Sequence, residues 1–406
     1  MKVENIKTLK DFDVVGKTVL VRIDLNLPIV VGKVVDAYRL EQVIPTINYL
    51  IKNKAKVVLL SHYGRPKNGF EADLSLAPLV NEISAHLKKD VKFAVDALSE
   101  ITISQVKDLK PGEVILLENL RFHNEEVKNS KKFAEGLASL GDIYVNDTFS
   151  CSHRKHASID GMPRYIPGCL GLLLEKELVN LKHYLEGDIG KVMSITGGSK
   201  VSTKIEMLSV LVKKSDILVV GGAMANTFLK AKGIHIGNSL YEHGYIGVAK
   251  KILSEAKKHN CNVMLPNDVV TTLDINGKHQ CNVIDAKEVS EDQMILDVGP
   301  MFIVEIINAM HEVDAVIWNG PLGAFEHKPF DVGTATISRV IAELTHQKRL
   351  LSVAGGGDVA AAINNARLSQ HFTFLSTGGG AFLEWLEGKK LPGVVALEYS
   401  AKKFGL

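Results

Sequence analysis

No stretch of this 406-residue sequence approaches the roughly 20 consecutive apolar residues that a membrane helix needs. The opening Met1-Lys2-Val3-Glu4-Asn5 has no apolar signal core. Cysteine is scarce: Cys151, Cys169, Cys261 and Cys281 form no CxxC pair. Scattered thiols argue against a disulfide framework or a zinc site and fit a reducing cytoplasm. Excess charge of one sign is missing too, since 48 Lys and Arg against 46 Asp and Glu leave a formal net charge of +2. No global field therefore draws the chain to nucleic acid or a membrane. Internal repeats, low-complexity tracts and long charge runs are absent, and so is the phosphate loop GxxxxGK[ST].

What is present is uneven. Twelve of the 34 glycines fall in residues 1–190 and 22 in residues 191–406. Apolar runs in the first half end at Arg, His, Asp or Asn; those in the second half end at glycines followed by Lys or Asp. The length favours two or three domains, each able to bury its own core.

Short, continuously apolar runs rich in β-branched residues predict strands buried on both faces. They are Val19–Ile23, Lys56–Leu60, Val114–Leu117 and Ile143–Val145, then Val192–Ile195, Ile217–Val220, Val263–Leu265, Val316–Trp318, Leu350–Val353 and Phe372–Leu375. Helical patterns lie between them, such as Ala134–Leu140 and Ile205–Lys213. The alternation predicts an α/β chain with parallel sheets covered by helices. A boundary is expected near 185. Pro163 and Pro167 break the chain, Leu174, Leu178, Leu181 and Leu185 line one helix face, and Gly187 and Gly190 stop that helix. The helix suits a link between domains and an ordinary core helix equally. The expected division is 1–185 and 186–390, with a tail at about 391–406 after the turn Leu391-Pro392-Gly393.

Ligands of open parallel sheets bind beyond the carboxyl ends of the strands. In the first half those ends read Asp24-Leu25-Asn26, Ser61-His62-Tyr63-Gly64-Arg65, Glu118-Asn119-Leu120-Arg121 and Asn146-Asp147. Arg39 follows the first of them, and His153-Arg154-Lys155-His156 follows the last. Planar guanidinium forks donate paired hydrogen bonds to carboxylate and phosphate. Singly, each Arg or His is more often a surface or core residue; the recurrence at successive strand ends is the signal.

In the second half, Thr196-Gly197-Gly198-Ser199-Lys200-Val201-Ser202-Thr203-Lys204 leaves a strand and opens a helix. Glycines let backbone N–H groups approach phosphate, and a helix start favours negative charge. Lys200 and Lys204 are expected one helical turn apart if the helix has begun. Gly355-Gly356-Gly357-Asp358 suits phosphates, with Asp358 either holding Mg²⁺ or capping a helix. Ser376-Thr377-Gly378-Gly379-Gly380 repeats the arrangement one strand later. Trp318-Asn319-Gly320-Pro321 and Glu326 suit an adenine slot and ribose hydroxyls.

Together these segments resemble the phosphoglycerate kinase family over essentially the whole chain. The carriers are Val21-Arg22-Ile23-Asp24-Leu25-Asn26-Leu27-Pro28, Ser61-His62-Tyr63-Gly64-Arg65-Pro66, Asn119-Leu120-Arg121-Phe122 and His153-Arg154-Lys155-His156. On the glycine side they are Gly197–Lys204, Trp318–Pro321 and the two glycine triplets. The resemblance implies two Rossmann-like domains, with the tail returning to the first. It implies a reversible reaction in which 1,3-bisphosphoglycerate and MgADP give 3-phosphoglycerate and MgATP, carried out by a hinge-bending cytoplasmic monomer. Asp24, Asn26, Arg39, His62, Arg65, Arg121 and Arg154 would hold 3-phosphoglycerate. Gly198, Lys200, Lys204, Gly222, Asn319, Pro321, Glu326, Gly355, Gly356, Gly357, Asp358 and Val359 would hold the nucleotide, with Asp358 acting through Mg²⁺. Arg39, Lys200, Gly356 and Gly379 would act on the transferring phosphoryl group.

Three positions depart from the family pattern: Val359 where Thr is usual, Ser150-Cys151 in place of Gly-Thr, and Asn267 where an apolar residue is common. Two other readings stand beside this one. Gly355, Gly357 and Ala360 fit the GxGxxA variant of a dinucleotide fingerprint, which suits an NAD-dependent dehydrogenase but lacks the acidic ribose partner. A non-catalytic nucleotide-binding module would share the fold.

Overall fold

The computed structural model describes residues 6–30, 33–67, 69–187, 189–275 and 280–406, without the side chains of residues 30, 33 and 183–186. By its internal contacts the chain divides into Met1–Lys182 with Lys390–Leu406, and His183–Lys389.

The strands of the first unit are β1 (Thr18–Arg22), β2 (Ile29–Val30), β3 (Lys33–Val34), β4 (Lys56–Leu60), β5 (Val91–Ala94), β6 (Val114–Leu117), β7 (Ile143–Asn146) and β8 (Gly168–Leu170). Six of them form a sheet in the order β5-β6-β4-β1-β7-β8, while β2 and β3 pair as a hairpin. Every pairing in the large sheet is parallel. Val19, Leu20 and Val21 are all fully buried. Neighbouring strand residues point to opposite faces, so this burial means both faces are covered. The helix Tyr38–Lys52 contributes Leu40, Val43, Ile47 and Leu50 to a core shared with Val19, Val21, Val57 and Leu59.

The second unit holds β9 (Val192–Thr196), β10 (Ile217–Val220), β11 (Asn262–Met264), β12 (Asp268–Thr272), β13 (Asn282–Asp285), β14 (Met294–Val298), β15 (Ala315–Asn319), β16 (Leu351–Ala354) and β17 (Phe374–Leu375). Its main sheet runs β11-β10-β9-β15-β16-β17, and β13-β12-β14 form a separate antiparallel sheet. Counted within the unit, the main order is that of dinucleotide-binding folds, with the reversal between β9 and β15. In open sheets of this order, ligands bind beyond the carboxyl ends of the strands near that reversal.

All ten strands read from sequence lie within one or two residues of observed ones. The helices Ala134–Leu140 and Ile205–Lys213 fall on Lys131–Ala138 and Ile205–Lys214. Edge strands β5 and β8, the hairpin and the antiparallel sheet carry no comparable apolar run; β13 is largely exposed. The helix Leu172–Glu186 buries Leu174, Leu178 and Leu181; the side chain of Leu185 lies outside the described residues. Its start is held by Asp147, whose Oδ1 accepts from the Leu173 and Leu174 amides at 2.9 and 3.1 Å. Burial pushes that carboxyl up to about 6, against those two hydrogen bonds. Asp147, a strand-end residue in sequence, is therefore a helix cap.

The final helix, Pro392–Phe404, packs on the first unit. The Gly393 amide donates to the Ser152 carbonyl at 2.8 Å, and Ser400 Oγ accepts from the Gly168 amide at 2.9 Å. Among the described residues no helix is long and apolar enough to cross a membrane.

Candidate functional site

Each unit gathers polar groups beyond the carboxyl ends of its sheet. In the first unit, β1 exits into Asp24, whose Oδ1 accepts from the Asn26 amide at 3.0 Å. Asp24 Oδ2 takes a hydrogen bond from Ser150 Oγ at 2.5 Å and lies 3.3 Å from Arg39 Nη1. Burial works to raise the Asp24 pKa, but the Arg39 guanidinium leads the groups that outweigh it and hold the carboxyl at about 2. Arg39 Nη1 also donates to the Asn26 carbonyl at 3.1 Å, and Asn26 Oδ1 accepts from the Gly64 amide at 2.9 Å. Arg121 Nη1 then donates to the Gly64 carbonyl at 2.6 Å. Asp24, Asn26, Arg39, Gly64 and Arg121 are thus one connected network joining the exits of β1, β4 and β6.

A cavity of about 480 Å³ is lined by Arg65, Arg121, Arg154 and His156, with Pro66, Asn124 and Val127. Burial and the nearby Arg154 push the Arg121 pKa down to about 10. Burial, with Arg121, Arg22 and Arg154, pushes His156 down to about 3. His153 falls to about 4 through burial and Arg154. His62 is buried, and burial drives it well below the usual imidazole range; Asp24 opposes this, while Arg22, Arg121 and Arg154 reinforce it. Burial first, and nearby guanidiniums second, keep these histidines neutral, and a cavity lined by three arginines suits an anion.

A titration follows from these shifts. Histidine in an unfolded chain takes up a proton near 6.5, whereas folded His153 and His156 wait until about 4 and 3. The unfolded state therefore binds more protons below about 6.5, and these two residues make the fold less stable as pH falls through that range. Histidine NMR should show both rings neutral at pH 5, and a bound phosphate ester should raise both values. A ring titrating near 6.5 in the free protein would contradict this burial beside the arginines.

Two strand-end residues do structural work. Glu118 accepts from the Leu76 and Asn119 amides at 2.8 and 2.7 Å and from Ser75 Oγ at 2.6 Å. Asn119 ties the Tyr63 and Leu74 carbonyls.

In the second unit the loops after β9, β10 and β15 interlock, chiefly through backbone. The Gly197 and Gly198 amides donate to the Asn319 and Pro321 carbonyls, both at 3.1 Å, and the Gly222 amide donates to Leu322 at 2.7 Å. A Cβ at Gly197 would lie 1.8 Å from the Pro321 carbonyl oxygen; one at Gly222 would lie 2.7 Å from the Gly198 amide nitrogen. No side chain fits at either position. Lys204 Nζ donates to the Gly197 carbonyl at 2.7 Å and the Asn319 carbonyl at 3.2 Å. Burial pushes Lys204 down to about 8, with Asp358 opposing. Asn319 Nδ2 reaches across to the Gly355 carbonyl at 2.7 Å.

The helix after this loop starts only at Ile205, with Lys204 as its cap residue. Lys200 precedes it and is exposed. The condition for placing the two lysines one helical turn apart is not met: Lys204 points at loop carbonyls, and the side chain of Lys200 is exposed with no hydrogen-bond or ion-pair partner among the described residues. The loop is tightened by Glu242, which accepts from Ser202 N at 2.8 Å and Ser202 Oγ at 2.5 Å. Nothing in the sequence signals Glu242, which is 40 residues away.

Gly356 and Gly379 are the cap residues of helices Gly357–Asn365 and Gly380–Leu386. Asp358 lies exposed in the first turn of the former. Val359 is fully buried, so only its backbone can face a ligand. Pro321 is buried and Glu326 exposed on the same loop. The Gly355–Gly357 run follows β16, two strands beyond the reversal point, whereas a dinucleotide fingerprint follows the first strand of its unit. The dehydrogenase reading loses its support.

Comparison with known proteins agrees. A family model described as Phosphoglycerate kinase matches residues 9–389. The phosphoglycerate kinase of Xanthobacter autotrophicus is 48% identical over 391 residues, covering 96% of this chain and 98% of that protein. Among solved structures, phosphoglycerate kinase from Coxiella burnetii aligns with a TM-score of 0.85 at 36% identity, covering 98% of this chain and 100% of that one. The enzyme from Pyrococcus horikoshii aligns with a TM-score of 0.87 at 31% identity, with the same coverage. Matched along nearly its whole length in both sequence and fold, the chain belongs to the phosphoglycerate kinase family.

Proposed function

We propose that the first unit holds 3-phosphoglycerate, the second holds an adenine nucleotide, and phosphoryl transfer takes place when the two ligands are brought together. The chain is a phosphotransferase of glycolysis that interconverts 1,3-bisphosphoglycerate plus ADP with 3-phosphoglycerate plus ATP. The observation carrying the assignment of sites is their chemical difference. One is a guanidinium-lined cavity suited to a small molecule with carboxylate and phosphate. The other gathers glycine-capped helix starts at Gly356 and Gly379, whose first-turn amides suit a polyphosphate.

In this reading Arg65, Arg121 and Arg154 bind the substrate phosphate, and Asp24, Asn26 and His62 fix its hydroxyl and carboxyl ends. Arg39 stands beside the reacting carboxylate, with Nη2 and Nε uncommitted among the described residues. Lys200, whose side chain is exposed, reaches the transferring phosphoryl group. Lys204 adds positive charge behind the loop glycines, and the Gly356 and Gly379 cap regions complete the cradle with their amides. Pro321 and Glu326 flank the nucleoside. Phosphoryl transfer needs alignment and charge stabilisation more than covalent work by the protein.

Asp358 fits a Mg²⁺ that travels with the nucleotide. Its carboxylate is exposed at a helix start and has no hydrogen-bond or ion-pair partner among the described residues, and such ions take one or two carboxylates alongside phosphate oxygens. The ion would supply charge neutralisation between the phosphates.

Reacting oxygen and phosphorus must come within about 3–3.5 Å, so ligands held on separate units require closure, with water excluded as it occurs. The reading extends to a cytoplasmic monomer, each chain carrying both sites. A coupled assay of ATP consumption dependent on 3-phosphoglycerate tests the function. No turnover from folded protein, with nucleotide still bound, would leave a binding module instead. Small-angle scattering tests closure: the radius of gyration should fall only when both substrates are present, and an unchanged value in active protein would refute it.

A further inference from the structure

Arg22 has no place among the substrate residues above, yet it is the largest charged side chain that the fold buries, at 1% exposure. It lies in β1, two residues before Asp24. A guanidinium so enclosed needs every donor satisfied and a compensating charge nearby. Its Nε donates to Ser158 Oγ at 2.9 Å, and one terminal nitrogen donates to the Ile23 carbonyl. Ser158 passes the contact on: its Oγ donates to Glu126 Oε1 at 2.6 Å and its amide to Oε2 at 2.9 Å. Glu126 is itself fully buried. It is the counter-charge to Arg22, reached through one hydroxyl.

The remaining terminal nitrogen of Arg22 lies 3.1 Å from His62 Nδ1. Guanidinium can only donate, so Nδ1 must accept through its lone pair. The ring proton then resides on Nε2. No protein group hydrogen-bonds Nε2 among the described residues, which leaves that N–H for a ligand. We propose that Arg22 is a positioning residue: anchored by Ser158 and Glu126, it locks His62 as the neutral Nε2–H tautomer, so that the imidazole meets the substrate as an oriented hydrogen-bond donor.

The lock has a clear use. Arg39, Arg121 and Arg154 already supply positive charge in this unit. A freely tautomerising ring would present a lone pair to an anionic oxygen part of the time, and that arrangement repels. Fixing the proton on Nε2 removes the repulsive form. Burial and the surrounding arginines also keep His62 from taking a second proton, consistent with the geometry. The usefulness of the lock rests on His62 contacting the substrate; the lock itself does not.

Nitrogen-15 NMR of His62 in the full-length protein reads the tautomer directly. At pH 7 the wild-type ring should show an acceptor-type Nδ1 and a protonated Nε2. A ring protonated on Nδ1, or on both nitrogens, overturns the proposal without any variant having to fold. Arg22→Met should convert the signal to a mixture of tautomers. It should also raise KM for 3-phosphoglycerate on the order of tenfold, with KM for MgATP unchanged and kcat moved less. Ser158→Ala, a smaller lesion that unties the guanidinium from Glu126, should shift both readouts in the same direction by less. Folded variants whose His62 signal matches wild type would reduce Arg22 to a structural residue. His62→Gln separates the two readings: an unchanged KM for 3-phosphoglycerate would remove His62 from the substrate site while leaving the tautomer result intact.

Discussion

Arg39→Ala is expected to lower kcat by roughly 10²–10³, the loss typical of removing one preorganised donor from a transition state. The side chain stands in the first turn of the helix Tyr38–Lys52 and keeps 31% of its surface exposed, so its removal leaves the core intact. Its guanidinium is aimed by the Asn26 carbonyl and the Asp24 carboxylate on one nitrogen, which leaves the rest of the fork for a ligand. The variant also leaves Asp24 without its principal counter-charge, and the Asp24 pKa should rise from about 2. Steady-state turnover in both directions, alongside a denaturation curve, checks the prediction. Turnover near wild type would remove Arg39 from the chemistry and leave it only as a partner for Asp24.

The second large effect is architectural. Gly197→Ala places a methyl group 1.8 Å from the Pro321 carbonyl oxygen, a backbone atom that no rotamer change can move aside. The neighbouring hydrogen bonds from Gly197 and Gly198 to Asn319 and Pro321 prevent either loop from yielding alone. Overpacking of this kind costs about 3 kcal/mol or more when no side chain can move aside. Nucleotide affinity should fall with stability if the proposed nucleotide site is right, because Lys204 and Asn319 are held by these same loops. Gly357→Ala is the matched control: nothing lies within 4 Å of its added carbon, so its stability should stay near wild type. Urea denaturation and nucleotide titration of the pair decide the matter. Equal stabilities would mean that the three loops are not interlocked as described.

These two residues also show what a sequence reveals. Arg39 and Gly197 were legible because each follows a strand, and the strands were legible because burial on both faces forces continuously apolar runs such as Val57-Val58-Leu59-Leu60. Edges lack that pressure. Gly168-Cys169-Leu170 is too short, and Asn282-Val283-Ile284-Asp285 too solvent-exposed, to read as strands. Partners in the site were hidden for a different reason. Ser150 reaches Asp24 across 126 positions, and Arg22 reaches Ser158 across 136. No local pattern encodes such pairings; they exist only once the sheet order has placed β7 beside β1. Lys204 shows the reverse case. Its spacing from Lys200 suggested a shared helical face, but the chain reserves those four residues for a turn and starts the helix at Ile205.

The contact between Gly393 and Ser152 has a consequence for biosynthesis. The first unit includes residues 390–406, which a ribosome makes only after the whole of the second unit. Domains tend to fold as they emerge, so here the unit begun first is finished last. The amide of Gly393 fastens the carbonyl of Ser152, two positions before Arg154. Until the last helix docks, the loop carrying that arginine lacks its tether. A nascent chain would complete the glycine-rich loops of the second unit first, and the cationic pocket of the first unit only after the second unit has been made.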